Sequence, residues 1–163
     1  MKTKSQAKRL KMPARCNNGE QCAALPFALD SKGRTRILLM TSRDTGRWVI
    51  PKGWTEPELT PAEVAKREAF EEAGLVGRIA GAPVGTYRYA KRLEAGRIIH
   101  CAVQVFPFAV ERQLSSWPEK RQRQTRWVAP AKAATMVAEP ELAAILRAFG
   151  DPAPPPANSD IAG

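Results

Sequence analysis

The sequence predicts an α/β fold in which a mixed β-sheet packs between helices, and three observations support this class. Apolar or alternating runs with β-branched and aromatic residues recur between turns of Gly, Asp and Ser. One segment in the middle of the chain carries both helix-start and helix-stop signals. A segment near the C-terminal end has apolar residues at helical spacing. The 163 residues suit one such domain with a usable hydrophobic core.

Composition divides the chain into three parts. Residues 1–19 are rich in Lys and Arg and contain no acidic residue, which indicates a flexible basic N-terminal arm. Residues 151–163 are rich in proline and small residues, which indicates a disordered tail. The folded domain is therefore predicted at residues 20–150.

The elements follow in chain order from local composition. Strands are predicted at 22–29, 36–42, 48–51, 84–90, 97–110 and 125–129. A short helix is predicted at 130–137. A longer one begins at Pro140 and ends before Gly150, with Leu142, Ile145, Leu146 and Phe149 at helical spacing. We expect this last helix to pack on the sheet.

The helix at residues 61–73 has signals at both ends. Thr60 and Glu63 form a T-x-x-E capping box, and Pro61 occupies the first helical position. Gly74 supplies a left-handed stop. Local sequence alone therefore predicts the bounds of this helix.

The same helix carries a cluster of carboxylates. At 100° per residue, Glu68, Glu71 and Glu72 fall within an arc of about 100°. Ala62, Ala69, Phe70 and Ala73 share another face, which is predicted to pack. Like charges at this spacing repel one another, so something must compensate for them. One explanation is a solvated acidic face with Lys66 and Arg67 as counterions, and the other is a divalent cation held by hard oxygen ligands.

A longer motif favours the cation. Gly53, Arg67, Glu68, Glu71, Glu72, Gly74 and Leu75 stand at the spacings of the Nudix box, GX5EX7REUXEEXGU, in which U is a bulky apolar residue. Over about residues 20–150 the chain therefore resembles a Nudix hydrolase, and the resemblance implies the Nudix fold.

The sequence departs from the box at two positions. Leu59 stands at the first glutamate position, and Ala69 stands at the first U. In the family, that first glutamate commonly pairs with the arginine matched here by Arg67. Three nearby acidic residues are candidates to replace it as the partner of Arg67: Glu56, Glu58 and Glu63.

The resemblance also implies an activity and roles for the box residues. The expected activity is hydrolysis of a nucleoside diphosphate linked to another moiety, or of a related polyphosphate, with Mg²⁺ or Mn²⁺. Glu68 and Glu72 are the expected metal ligands, Glu71 is a ligand or the general base, and the Gly53 carbonyl faces the metal. The resemblance also places Arg67 among the expected catalytic residues. Glu119 is the candidate for a further carboxylate supplied from outside the box.

Basic residues near the box suggest a phosphate-rich, small-molecule substrate. The segment from Arg47 to Trp54 is similar to one in diphosphoinositol polyphosphate and diadenosine polyphosphate hydrolases. Arg43, Arg47 and Lys52 are predicted to hold phosphate oxygens. A second basic group, with Arg88, Lys91, Arg92 and Arg97, is predicted on a hairpin that extends the anionic track. Dinucleoside polyphosphates stand level with diphosphoinositol polyphosphates as the predicted substrate, or slightly ahead.

Charge and cysteine content limit the other possibilities. Basic residues outnumber acidic ones 26 to 16, and the net charge of +10 favours an anionic partner. Cys16, Cys22 and Cys101 suggest neither a zinc site nor a disulfide framework, so a reducing, cytoplasmic compartment is expected. No apolar run is long enough for a membrane span, and no membrane partner is expected. A non-catalytic nucleotide-sensing or RNA-binding Nudix module remains the alternative function, and the oligomeric state stays open.

Overall fold

A computed structural model describes residues 18–150, and the predicted tail and most of the predicted basic arm lie outside the described residues. The strands are β1 (Asn18–Leu29), β2 (Thr35–Thr41), β3 (Trp48–Val49), β4 (Lys52–Trp54), β5 (Leu75–Ile79), β6 (Gly85–Arg92), β7 (Ile98–Gln113) and β8 (Thr125–Val128). The helices are α1 (Pro61–Ala73), α2 (Pro130–Met136) and α3 (Pro140–Phe149). All six predicted strands are present, β4 and β5 were not predicted, and β1 begins two residues before the predicted domain boundary.

The strands form one mixed sheet. Its main path runs β3-β2-β1-β7-β5, and β4, β6 and β8 pair with β1, β7 and β2 respectively. The two longest strands, β1 and β7, lie parallel at the centre, with Asn18 opposite His100 and Phe27 opposite Ala109. The remaining pairs are antiparallel.

Helices cover both faces of the sheet, as the sequence predicted. On β1, Leu25 and Phe27 belong to the apolar cluster that packs against α2 and α3. Their neighbours Cys22 and Ala24 belong to the cluster that packs against α1. Because side chains alternate along a strand, this pattern gives β1 two buried faces and a central place in the sheet.

Helix α1 begins and ends as predicted. The Thr60 hydroxyl accepts a hydrogen bond from the Glu63 N–H, and the Glu63 carboxylate accepts one from the Thr60 N–H. Gly74 ends the helix with φ of 70°. The prediction that Phe70 packs was wrong: its side chain is exposed, whereas Ala69 and Ala73 of the same predicted face are buried.

None of the helices within residues 18–150 has the length and apolar character that a bilayer crossing requires.

Candidate active site

The three glutamates of the box are buried, so the solvated acidic face is excluded. Glu68, Glu71 and Glu72 have relative exposures of 0%, 2% and 4%. They share helix α1 with a core face of Val64 and small alanines, which brings the backbone of α1 close to the sheet. Buried carboxylates require charge compensation, and two arginines lie against them.

The first of these arginines is Arg67, and Glu56 is its partner. Arg67 Nη2 forms an ion pair with Glu56 Oε2 and lies 3.4 Å from Glu68 Oε2. The hydrogen bond with Glu56 raises the pKa of Arg67 above its usual range. Leu59 packs against the apolar cluster beneath α1, and Glu63 is engaged in the capping box. Among the three candidates, Glu56 therefore replaces the missing box glutamate.

Gly53 lets strand β4 approach the box helix closely. An added Cβ at Gly53 would lie 2.6 Å from both Cδ and Oε2 of Glu68, which is closer than a real contact allows. The neighbouring Lys52 N–H donates to Glu72 Oε1 at 3.3 Å. The backbone of β4 therefore contacts the carboxylates of Glu68 and Glu72, and a side chain at position 53 would push them apart.

The second arginine, Arg123, brings a carboxylate from outside the box to the same place. Glu119 is 3% exposed, and its Oε1 lies 2.9 Å from Arg123 Nη2. The same Arg123 nitrogen lies 3.4 Å from Glu72 Oε2. The backbone N–H of Glu119 donates to the carbonyl of Glu71 at 3.1 Å. The structure therefore places Glu119 beside the box helix, although 47 residues separate it from Glu72 in the sequence.

A cleft of about 390 Å³ opens above Gly53 and Glu72. Its basic lining residues are Arg43, Lys52, Lys91, Arg92 and Arg123, and its acidic ones are Asp44, Glu72 and Glu94. The excess of cations suits a ligand that carries several negative charges. Trp54, Met40, Val49 and Leu93 supply the apolar part of the wall.

Two of the basic residues predicted to bind substrate do not line this cleft. Arg47 is exposed, and its Nε donates to Thr45 Oγ1 at 3.4 Å within the loop after β2. Arg88 is drawn toward α3, where its Nη1 lies 3.6 Å from Glu141 Oε2 and its N–H donates to the same carboxylate. Arg43, Lys52 and Arg92 do line the cleft.

Lys52 is a partly buried cation of the cleft. Burial lowers the pKa of Lys52 below its usual range, although the nearby Glu72 carboxylate acts in the opposite direction. Its Nζ lies 5.2 Å from the centre of the Tyr89 ring, and the Tyr89 hydroxyl donates to Gln21 Oε1 at 2.7 Å.

The box carboxylates provide oxygen donors for a divalent ion. Within residues 18–150, no group of three or more His, Cys, Asp or Glu side chains is already arranged around an ion position. Guanidinium groups occupy the surroundings of these carboxylates, since Arg67 contacts Glu68 and Arg123 contacts Glu72. The donors themselves fit Mg²⁺ or Mn²⁺, which prefer several oxygen ligands, and the missing side chain of Gly53 lets the Glu68 carboxylate lie directly against the backbone of β4.

Sequence reasoning did not single out Arg123. The signal was present, because Arg123 stands four residues after Glu119, the spacing of a side-chain pair across one helical turn. This spacing was not informative by itself, because Arg123 lies in a run of Arg, Gln and Lys in which the sequence does not distinguish a buried guanidinium from a solvated one. His100, on β7, is exposed.

The chain is similar in sequence to several known proteins. The model of the NUDIX domain family matches residues 21–149. Nudix hydrolase 12, mitochondrial, of Arabidopsis thaliana is 31% identical over 103 residues, which cover 61% of this chain and 51% of that protein. Diphosphoinositol polyphosphate phosphohydrolase 3-beta of Bos taurus is 46% identical over 43 residues, 26% of each chain. The chain spans about half the length of the first curated relatives it matches.

A solved structure shows the same fold. The crystal structure of the C. elegans Ap4A hydrolase superposes with a TM-score of 0.61 and 18% sequence identity, and the match covers 81% of this chain and 96% of that one. At this identity the likeness concerns the fold alone.

Proposed function

Since the chain belongs to the Nudix hydrolase family, we propose that it cleaves a pyrophosphate bond with the help of a divalent metal ion. One observation carries the proposal, namely that Glu68, Glu71 and Glu72 are buried beside a cleft whose lining contains more cations than anions. Buried acids next to exposed cations suit a reaction on an anionic substrate that also needs cationic help at the reacting phosphate.

The proposed role of each residue follows from its position in the site. Glu68, Glu72 and the Gly53 carbonyl are the proposed ligands, with Glu71 as a further ligand or as the general base. When bound, Mg²⁺ or Mn²⁺ would supply charge neutralisation at phosphate oxygens and activation of the attacking water. Glu71 or Glu119 is the proposed general base that would take a proton from that water. Arg67, fixed by Glu56, holds the box carboxylates in place.

The wall of the cleft argues for a substrate with several phosphates. Arg43, Lys52 and Arg92 stand on different elements around the opening, so a compact polyanion meets cations from more than one side. We propose a dinucleoside polyphosphate or a diphosphoinositol polyphosphate as the substrate. The proteins named above for such substrates share the fold or a 43-residue segment with this chain, which supports the choice.

We also propose a reducing, cytoplasmic location. Cys22 and Cys101 are free and buried, and burial raises the pKa of the Cys22 thiol to about 11, which keeps it protonated and unreactive.

The test is release of phosphate and nucleotide from a panel of candidate substrates, with and without Mg²⁺ or Mn²⁺. The panel contains diadenosine tetraphosphate, a diphosphoinositol polyphosphate, ADP-ribose, nucleoside triphosphates and 5′-triphosphate RNA. We expect metal-dependent turnover of one of the first two, and a fall in kcat of about 100-fold or more in Glu71→Gln or Glu68→Gln. The matched control Glu111→Gln removes an exposed carboxylate on β7 and is expected to leave turnover unchanged.

Two results would count against the proposal. Wild-type turnover in both Glu68→Gln and Glu71→Gln would remove the box from the chemistry. Binding of a nucleotide or RNA without turnover of any panel member would favour a sensing or RNA-binding module.

A further inference from the structure

Arg123 is an almost buried guanidinium in which every nitrogen has a contact. Nε and Nη2 lie 3.0 and 2.9 Å from Glu119 Oε1. Nη1 donates to the carbonyl of Thr41, at the end of β2, at 3.0 Å. Nη2 also lies 3.4 Å from Glu72 Oε2. With a side-chain exposure of 8%, the group is fixed between the sheet, the box helix and the segment before β8.

The segment that carries Glu119 is attached to the end of α1 through its backbone. Leu114 N–H donates to the Gly74 carbonyl at 2.8 Å, and Glu119 N–H donates to the Glu71 carbonyl at 3.1 Å. The Trp117 ring lies over Gly74, where an added Cβ would be 2.2 Å from the ring. These contacts anchor one side of the segment to α1, and the ion pair of the Glu119 carboxylate with Arg123 anchors the other side.

A guanidinium is well suited to holding the Glu119 carboxylate in one place. Two of its N–H groups converge on one carboxylate oxygen, and a third points to a backbone carbonyl in a different direction. A lysine ammonium is a single point of charge on a flexible stem and lacks this fixed fork. The contacts therefore require the shape of arginine as well as its charge.

We propose that Arg123 is a positioning residue that holds the Glu119 carboxylate against Glu72, so that both act on the same phosphate group. The inference rests on the proposed hydrolytic function, in which Glu119 is the carboxylate from outside the box. Arg123 lines the cleft, yet its nitrogens are engaged by Thr41, Glu72 and Glu119. Its contribution to turnover is thus exerted through Glu119.

The first experiment compares Arg123→Gln, Arg123→Lys and the matched control Arg121→Gln, which removes the same charge from an exposed neighbour. Hydrogen exchange of the full chain is measured at residues 114–122, and kcat and KM are measured on the substrate found in the panel. We expect both Arg123 variants to exchange faster there and to lose about 100-fold in kcat. KM should stay within about threefold, because the ground-state contacts of the substrate are retained. Arg121→Gln should match the wild type.

A double-mutant cycle with Glu119→Gln separates positioning from general destabilisation. If Arg123 acts through Glu119, the double variant Glu119→Gln with Arg123→Gln has the kcat of Glu119→Gln alone. Additive losses would overturn the proposal. So would a rise in KM at unchanged kcat, which marks a direct substrate contact, or full activity in Arg123→Lys, which marks a role for charge alone.

The design distinguishes failure of this inference from failure of the proposed function. If the wild type turns over no panel substrate, the proposed function fails, and hydrogen exchange at 114–122 decides the placement of Glu119 without turnover. Faster exchange in Arg123→Gln and Arg123→Lys, but not in Arg121→Gln, supports it. Wild-type exchange in both Arg123 variants overturns it. If Arg123→Gln fails to fold, Arg123→Lys, which keeps the charge, supplies the same readouts.

Discussion

Arg67 meets the carboxylate of Glu56, three residues before the position at which the Nudix box has glutamate. The presence of leucine instead of glutamate at position 59 is therefore accommodated. Leu59 packs below α1, and Glu56 reaches the guanidinium of Arg67 from the loop after β4. The role that the motif usually assigns to one position can therefore be taken by another residue of the same loop. What the site requires at this point is a carboxylate near Arg67, and the local path of the chain decides which residue supplies it.

The Glu56–Arg67 ion pair is expected to stabilise the folded protein. Glu56→Gln leaves the guanidinium of Arg67 without its closest anion, and the side chains are 9% and 27% exposed. We expect the free energy of unfolding to fall by about 2 kcal/mol, between the values for exposed and buried pairs. Urea denaturation measures the change, and Glu58→Gln, an exposed neighbour, is the control. Equal effects of the two substitutions would show that the pair contributes nothing specific.

We expect Lys52 to lower the free energy of unfolding while it contributes to substrate binding. Because burial lowers its pKa, the charged form is disfavoured in the folded state, and Lys52→Met removes that penalty. We expect the free energy of unfolding at neutral pH to rise by about 1 kcal/mol. The difference from the wild type should shrink as pH rises toward the ordinary pKa of lysine, where the unfolded state also loses its proton.

The same substitution should raise KM for a polyanionic substrate about tenfold, through loss of a charged contact. Lys132→Met, at an exposed position on α2, is the control for both measurements. A Lys52→Met protein that is less stable than the wild type would contradict this account.

At the scale of elements, the end of α1 connects two parts of the site. Gly74 ends the helix in a left-handed conformation, and the Trp117 ring occupies the space that a side chain at Gly74 would need. Trp117 lies two residues before Glu119, so the helix end and the loop carboxylate share one contact region. The box glycine therefore serves the loop as well as the helix.

Gly74→Ala should be strongly destabilising for both reasons. The backbone at φ of 70° costs an alanine about 1 to 2 kcal/mol, and displacement of Trp117 adds a similar amount. We expect a total loss of about 3 kcal/mol in urea denaturation, with faster hydrogen exchange at 114–122. Gly81→Ala is the matched control, since an added Cβ there meets no atom within 4 Å. A loss no larger than that of Gly81→Ala would contradict the assigned role of Gly74.

The elements differ in how far sequence could predict them. The bounds of α1 were predictable because Thr60, Glu63 and Gly74 act locally on the backbone. Strand β4 was missed because it has three residues and one of them is Gly53; it is extended because it pairs with β1. Strand β5 follows α1 directly and contains Gly77 next to a register shift, so its alternation is interrupted.

The site shows the same limit. The spacing of the box was enough to predict that Glu68, Glu71 and Glu72 lie together. The choice of Glu56 among three nearby glutamates depends on the path of the loop. The contact of Arg123 with Thr41 joins residues that are 82 positions apart, and only the pairing of the sheet brings them together. Arg88 lies beside Glu141, 53 positions later in the chain, and this contact too depends on how α3 packs on the sheet.

At the scale of the whole molecule, a protein of net charge +10 encloses three buried carboxylates in one helix. The surrounding cations compensate these charges and also attract anionic ligands to the cleft. A bound divalent ion would take over part of the compensation, so its binding should be linked to folding.

We expect Mg²⁺ or Mn²⁺ to raise the thermal midpoint of unfolding. An ion bound only by the folded state stabilises it by mass action, by about 2.7 kcal/mol at a hundred times its Kd. Glu72→Gln should lose most of this shift, whereas Glu111→Gln should retain it. Scanning calorimetry with and without the ion makes the comparison. A full metal-induced shift in Glu72→Gln would remove Glu72 from the proposed ligands.

The parallel pairing of β1 with β7 has a consequence for how the chain acquires its structure. Partners in this pair stand about 80 residues apart in sequence, so the entropy of closing a long loop precedes every contact between them. During synthesis on the ribosome, β1 emerges before β7 and stays without its central neighbour until β7 has been made. The helices that cover Leu25 and Phe27 come after β7, so this apolar face of β1 stays uncovered for the longest time and is a site of aggregation in the nascent chain.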